Sequence, residues 1–219
     1  MLKWQIEDRT YAPGGEELVL LRRGDSWLIR AEGRTLMSSQ QHGSEEVLAR
    51  LACAGAPPGA RALIGGLGLG YTLRAALDVL PVDAQVDVAE LVSAVVTWNR
   101  GPLGPLAGHP LDDPRVRVHT GDVLAVLRAT QGLDAVLLDV DNGPRAMTQA
   151  ANCALYTNAG VVACVRALAP GGVLAVWSAN DDEAYRARLR RAGLTVELHR
   201  PSAHGTRGPR HVVFTGRKP

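Results

Sequence analysis

At 219 residues, with 46% hydrophobic and 21% charged content, the chain has the size and composition of one folded domain, which excludes intrinsic disorder. A formal net charge of only +2 predicts no nucleic-acid partner, and no apolar run approaches the ~18 residues of a membrane span. Cys53, Cys153 and Cys164 form no C-x-x-C pair, and the charged start (Glu7, Asp8, Arg9) has no signal-peptide core, so the expected setting is cytoplasmic and reducing.

The first elements read as β-structure. Residues 17–21 (ELVLL) and 26–30 (SWLIR), joined through Gly24-Asp25, predict a hairpin, and a short third strand ends near Met37. A helix is expected from Ser44, with Glu45 and Glu46 in its first turn, to near Gly55. Ala56-Pro57-Pro58-Gly59 then marks a boundary, dividing the chain into an N-terminal segment (1–56) and a larger domain (57–219).

Beyond Arg61 strands alternate with helices. Strands are predicted over 62–64, 85–89, 115–119, 135–139 and 173–177, with helices over 71–79, 93–99, 123–130, 158–168 and 181–192 between and after them. Residues 135–139 (AVLLD) form a continuous apolar run ending in an acid, as expected of a central parallel strand buried on both faces. Strands over 195–199 and 211–215, separated only by a loop, predict an antiparallel hairpin at the end. The expected fold is α/β and Rossmann-like, a mostly parallel seven-stranded sheet of the class I methyltransferase type with a small N-terminal β-segment.

The main chemical signal is the turn Gly65-Gly66-Leu67-Gly68-Leu69-Gly70, between a strand and a helix. Glycines admit a ligand close to the backbone, and the helix start presents amide N–H groups. The pattern is neither G-x-G-x-x-G nor a P-loop, which argues against a nicotinamide or nucleoside-triphosphate site. Glu90 ends the next strand, 20 residues past Gly70, where an acid can accept both ribose hydroxyls. Asp122 has two readings, partner of an adenine amino group or cap of the helix starting at Val123. Asp139 closes the buried strand at the carboxyl edge of the sheet, where a carboxylate can orient or deprotonate a nucleophile. Asp141 and Asn142 follow in a turn. The six histidines have no ligand spacing, so no metal is expected.

Over about residues 15–215 the sequence resembles the spermidine synthase-like branch of the class I methyltransferase superfamily. The resemblance rests on LIGGLGLGYTLR, Glu90, Gly121-Asp122, LLDVDNGP, Leu155-Tyr156 and the Ala169-Pro170-Gly171-Gly172 turn. It implies a sulfonium nucleoside donor, S-adenosylmethionine or its decarboxylated form, bound by Gly65, Gly66, Gly68, Gly70, Glu90 and Asp122. It also implies an amine acceptor beside Asp139, the candidate base. Asp141, Asn142, Tyr156, Gln41 and His42 are the candidate acceptor contacts, with Tyr71 a further pocket wall.

Two positions depart from the family pattern. Gly68 stands where aminopropyltransferases carry the Asp of GGGDGG, and Asn142 stands where they carry the second Asp of D-x-x-D-P. Those losses favour methyl transfer from intact S-adenosylmethionine to a small amine-type nucleophile. Aminopropyl transfer from the decarboxylated donor is the alternative, and a non-catalytic nucleoside-binding module is a third. The exposed N-terminal hairpin suits a homodimer contact.

Overall fold

The computed structural model describes residues 2–140, 154–204 and 207–219. Four antiparallel strands come first: β1 (Gln5–Tyr11), β2 (Glu17–Arg23), β3 (Ser26–Ala31) and β4 (Arg34–Ser38), adjacent in chain order. Strand β1 is absent from the sequence reading for a physical reason. Its residues are almost all exposed, so it shows no apolar alternation, and backbone pairing to β2 is what orders it. Helix α1 (Gly43–Cys53) follows and buries Ser44, Leu48, Ala49, Ala52 and Cys53 against α2 (Tyr71–Val79) and the main sheet.

The main sheet collects β5 (Arg61–Gly65), β6 (Gln85–Glu90), β7 (Val116–Thr120), β8 (Leu133–Leu138), β9 (Leu168–Ser178), β10 (Thr195–His199) and β13 (Val212–Arg217). The connecting helices are α3 (Ser93–Arg100), α4 (Val123–Ala129), α5 (Asn158–Ala167) and α6 (Glu183–Arg191). The spatial order is β10-β13-β9-β8-β5-β6-β7, with β13 antiparallel to both neighbours. The chain runs outward from β5 through β6 to β7, then returns to place β8 on the other side of β5. That reversal opens a crevice at the carboxyl ends of β5 and β8, the usual ligand position in open α/β sheets.

Sequence explains the centre of the sheet. The last four residues of β8 are fully buried aliphatics, of which Val136, Leu137 and Leu138 each contribute roughly 1.5–3 kcal/mol when removed from water. One apolar core unites β2, β3 and α1 with β5, α2 and α3, and a second lies between β8, α4, α5, α6 and β13.

The final strands pair as expected. Their connection carries a small ribbon, β11 (Ser202–His204) with β12 (Arg207–Arg210), where a plain loop was expected. Strand β9 also starts earlier than expected, at Leu168, and passes through Pro170-Gly171-Gly172 with a register irregularity opposite β8. The free thiols of Cys53 and Cys164 are buried, and burial pushes both up to about 12, consistent with packing rather than reactivity. Among the described residues no helix is long and apolar enough to cross a membrane, and no His, Cys, Asp and Glu group is placed to hold a metal.

Candidate active site

The glycine turn is shaped by contacts that a side chain would disturb. Gly66, Gly68 and Gly70 all have left-handed backbones, at φ of 88°, 53° and 84°. A Cβ on Gly66 would press on the Asp139 carbonyl oxygen, so β5 and β8 approach too closely here for any other residue. The Gly66 amide donates to the Ala89 carbonyl at 2.9 Å, and the Asp139 amide donates to the Gly65 carbonyl at 2.9 Å. Three strand ends are thereby tied together around one crevice.

Glu90 completes that tie. Its carboxylate accepts from the Leu67 amide at 2.9 Å and the Val92 amide at 2.8 Å, so it holds the glycine turn from below. Burial pushes its carboxyl above the ordinary range, while the Val92 and Leu67 amides pull it back. Each oxygen retains acceptor capacity for a ligand hydroxyl. Asp122 caps α4 through the Leu124 amide at 2.9 Å and also lines the crevice.

These residues line an outer cleft of about 690 Å³, partly open to solvent. Its floor is Gly66, Gly68 and Glu90, and Ala89, Leu91, Val92, Val95 and Val123 supply an apolar slot. An acid for ribose hydroxyls beside an apolar slot for a base fits an adenosyl nucleoside. The far wall comes from the N-terminal sheet, through Glu16, Leu18, Leu36 and Met37, none of which sequence reading identified.

An inner cavity of about 610 Å³, also partly open to solvent, adjoins it and shares Leu36, Met37, Gly68 and Asp139 with the cleft. The other walls are Glu45, Leu67, Leu69, Tyr71, Thr72 and Trp177. The buried Thr72 hydroxyl donates to Asp139 Oδ2 at 2.5 Å and fixes the carboxylate. Burial pushes the Asp139 carboxyl upward against that hydrogen bond. Glu45 is pushed up further, by burial and by the Asp139 charge, as two acids facing one cavity must be. Tyr71 donates to the Ser39 carbonyl at 3.3 Å, which sets its ring against this cavity.

Glu45 is the main residue that sequence reading missed, since it was read as a helix-start acid. The signal lay in helix spacing. Glu46 finds Arg50 four residues on and pairs with it at the surface, whereas Glu45 finds Leu48 and Ala49, both fully buried, on its flank.

Other expected contacts fall elsewhere. Tyr156 is buried in the core behind β8, donating to the Val140 carbonyl at 3.0 Å and packing edge-on against Tyr185, so it lines neither cavity. Gln41 is exposed, and His42 stacks on the outer face of Tyr71 with ring centroids 4.0 Å apart; neither lines the cleft or the inner cavity. The resemblance suggested all three, and the turn before α1 leaves Gln41 and His42 at the rim. Asp141 and Asn142 lie outside the described residues.

No family model matches the chain. Among curated proteins it is 36% identical over 210 residues to polyamine aminopropyltransferase 2 of Streptomyces coelicolor, covering 90% of this chain and 36% of that protein. It is 30% identical over 166 residues to a polyamine aminopropyltransferase of Mycobacterium tuberculosis, covering 74% of this chain and 30% of that one. The chain thus spans about a third of the length of the curated relatives it matches. Among solved structures, a spermidine synthase in complex with the transition-state analogue AdoDATO matches with a TM-score of 0.79 at 17% identity, over 100% of this chain and 74% of that chain. The spermidine synthase from Thermotoga maritima matches with a TM-score of 0.79 at 17% identity, over 98% of this chain and 73% of that one.

The fold is spermidine synthase-like. Within this spermidine synthase-like fold the outer cleft lies over the switch point of the sheet, and the inner cavity lies behind it, under α1. Gly68 and Asp139 stand where the two spaces meet.

Proposed function

We propose that the chain catalyses aminopropyl transfer from decarboxylated S-adenosylmethionine to an amine. One observation carries this reading: a cavity holding two carboxylates, Glu45 and Asp139, opens directly off the glycine-turn cleft. Paired acids with Tyr71 and Trp177 suit a cationic amine, through charge and through the ring faces. The names of the curated relatives support the same chemistry.

In this reading the nucleoside occupies the outer cleft over Gly66 and Glu90, with its sulfur side toward Gly68. The acceptor lies in the inner cavity. Its nitrogen, freed of one proton, attacks the carbon next to sulfur; the N–C bond forms as the C–S bond breaks, and its electron pair goes to sulfur. Asp139, held by Thr72, orients the attacking amine. Methyl transfer was expected because Gly68 and Asn142 lack the family acids. Glu45 weakens that ground, because α1 supplies a second carboxylate to the inner cavity beside Asp139.

The test is product analysis. Purified protein given decarboxylated S-adenosylmethionine and 1,4-diaminobutane is expected to release methylthioadenosine and an aminopropylated amine. Release of S-adenosylhomocysteine from intact S-adenosylmethionine, with no methylthioadenosine from the decarboxylated donor, would restore methyl transfer.

A further inference from the structure

Glu45 has a second neighbour that leads away from the cavity. Ser44 is fully buried at the start of α1. Its Oγ lies 3.0 Å from Glu45 Oε2 and 2.9 Å from His211 Nδ1, and it receives the indole N–H of Trp177 at 3.0 Å. His211, just before β13, is half-buried and edge-on to the Trp177 ring, at 4.7 Å between centroids. The imidazole therefore extends from Ser44 toward solvent.

Counting protons shows what this arrangement does. A hydroxyl has one hydrogen and two lone pairs, and Trp177, a donor only, occupies one lone pair. One hydrogen and one lone pair remain for two neighbours. Either Glu45 carries a proton and donates to Ser44, which then donates to His211 Nδ1, or His211 carries a proton on Nδ1 and Ser44 donates to an ionised Glu45. The chain holds a proton at one end or at the other.

We propose that Glu45, Ser44 and His211 form a relay that carries the acceptor ammonium's proton from the inner cavity to solvent. The inference rests on the amine-acceptor reading above. The ammonium N–H bond breaks and its proton goes to Glu45. That proton passes to Ser44 Oγ as the Ser44 hydrogen passes to His211 Nδ1, and the imidazolium gives a proton to water from Nε2. The chain resets when the ring swings off Ser44 and exchanges its Nδ1 proton with water. Asp139 and Tyr71 face Glu45 across the cavity, and Glu46 pairs with His42 on the outer flank. Burial raises the Glu45 carboxyl to about 8 and lowers the His211 imidazole, so Glu45 is the end that keeps the proton at rest, and loss to water from Nε2 draws it outward.

Two measurements test the relay. The first is the ¹⁵N resonance of His211 in labelled protein, which distinguishes its tautomers without any turnover. In the native chain His211 should change from the Nε2–H to the Nδ1–H tautomer as rising pH ionises Glu45. In Glu45→Gln, whose amide donates permanently to Ser44, that change should be lost. Identical tautomer behaviour in the two proteins overturns the relay, even if Ser44→Ala fails to fold.

The second measurement is the pH–rate profile with 1,4-diaminobutane. Ser44→Ala and His211→Asn should lower kcat about 10²-fold near neutrality, within the range for a lost proton-transfer step, with KM little changed. The deficit should shrink as pH approaches the amine's own pKa, where free base arrives and needs no relay. A deficit constant with pH, or none, overturns the proposal. If the native chain makes no product from any amine, the transfer reading fails, and the His211 tautomer then decides the relay by itself.

Discussion

The outer cleft and the inner cavity share Gly68 and Asp139, yet they are built by opposite means. Backbone makes the cleft: three strand ends tied by amide–carbonyl bonds, a turn of left-handed glycines, and Glu90 holding that turn through two amides. Side chains from separate segments make the cavity: Glu45 from α1, Tyr71 and Thr72 from α2, Asp139 after β8 and Trp177 from β9. A backbone-built site fixes where a ligand common to a whole fold must lie. A site built from side chains can change its chemistry without changing the fold, as the placement of an acid at Glu45, with glycine at position 68, illustrates.

The sharpest way to break the cleft is Gly66→Ala. The left-handed backbone costs roughly 1–2 kcal/mol for a residue with a Cβ, and the contact with the Asp139 carbonyl adds to it. Methylthioadenosine binding by calorimetry is expected to vanish while circular dichroism still reports a folded chain. Full affinity in the variant would show that the turn does not form the nucleoside site.

Asp139→Asn separates the two spaces. Turnover should fall by about 10²-fold, the cost of losing a contact that orients the nucleophile, with nucleoside affinity changed only a few-fold. Equal losses in both would make Asp139 part of the cleft's framework alone.

Glu90→Ala should weaken adenosine and the full donor alike, by about 1.5–3 kcal/mol, the range for hydrogen bonds to a charged group. A loss confined to the donor would remove Glu90 from the ribose.

Much of the cleft was legible from the sequence because its parts are consecutive or sit at strand ends. The glycines follow β5, Glu90 ends β6, and Asp139 follows β8, so hydrophobic runs and turn residues locate all three. The cavity was not legible in the same way. Glu45 looks like an ordinary helix-start acid until the fold sets α1 over the sheet, and Ser44 and His211 meet across nearly the whole chain. Met37 reaches the cleft only through the register of β4 on β3. Tyr156, Gln41 and His42 lie outside both spaces for the converse reason: nearness in sequence to the site elements did not carry the side chains into them. Strand β1 escaped because an exposed edge strand has no apolar period to read.

A smaller effect tests the electrostatics of the cavity. Glu45 and Asp139 have elevated folded-state carboxyls, so the stability linked to their protonated forms is present at acid pH and lost as pH rises through those elevated values. Glu45→Gln, neutral at every pH, should therefore gain thermal stability relative to the native chain as pH rises. A melting-temperature difference that is flat with pH would mean that neither burial nor the Asp139 charge raises the Glu45 carboxyl. Amine binding runs the opposite way in the native chain, strengthening with pH, because an ammonium pairs with the ionised carboxylates.

The smallest expected effect is at Gln41. Gln41→Ala should leave nucleoside and amine affinities within about twofold, as exposed positions away from specific contacts usually do. A larger loss would extend the cavity to the rim before α1.

Strand β4 gives the molecule one more property. Leu36 and Met37 lie over both spaces, and Met37 Sδ sits where a side chain on Gly68 would start, 2.9 Å from that Cβ position. In evolutionary terms, two residues govern two specificities at once. Drift in that strand cannot retune the donor without disturbing the acceptor, so lineages that alter one should alter the other in step. Drift along the exposed face of α6, remote from both, is free to proceed without any trace in the chemistry.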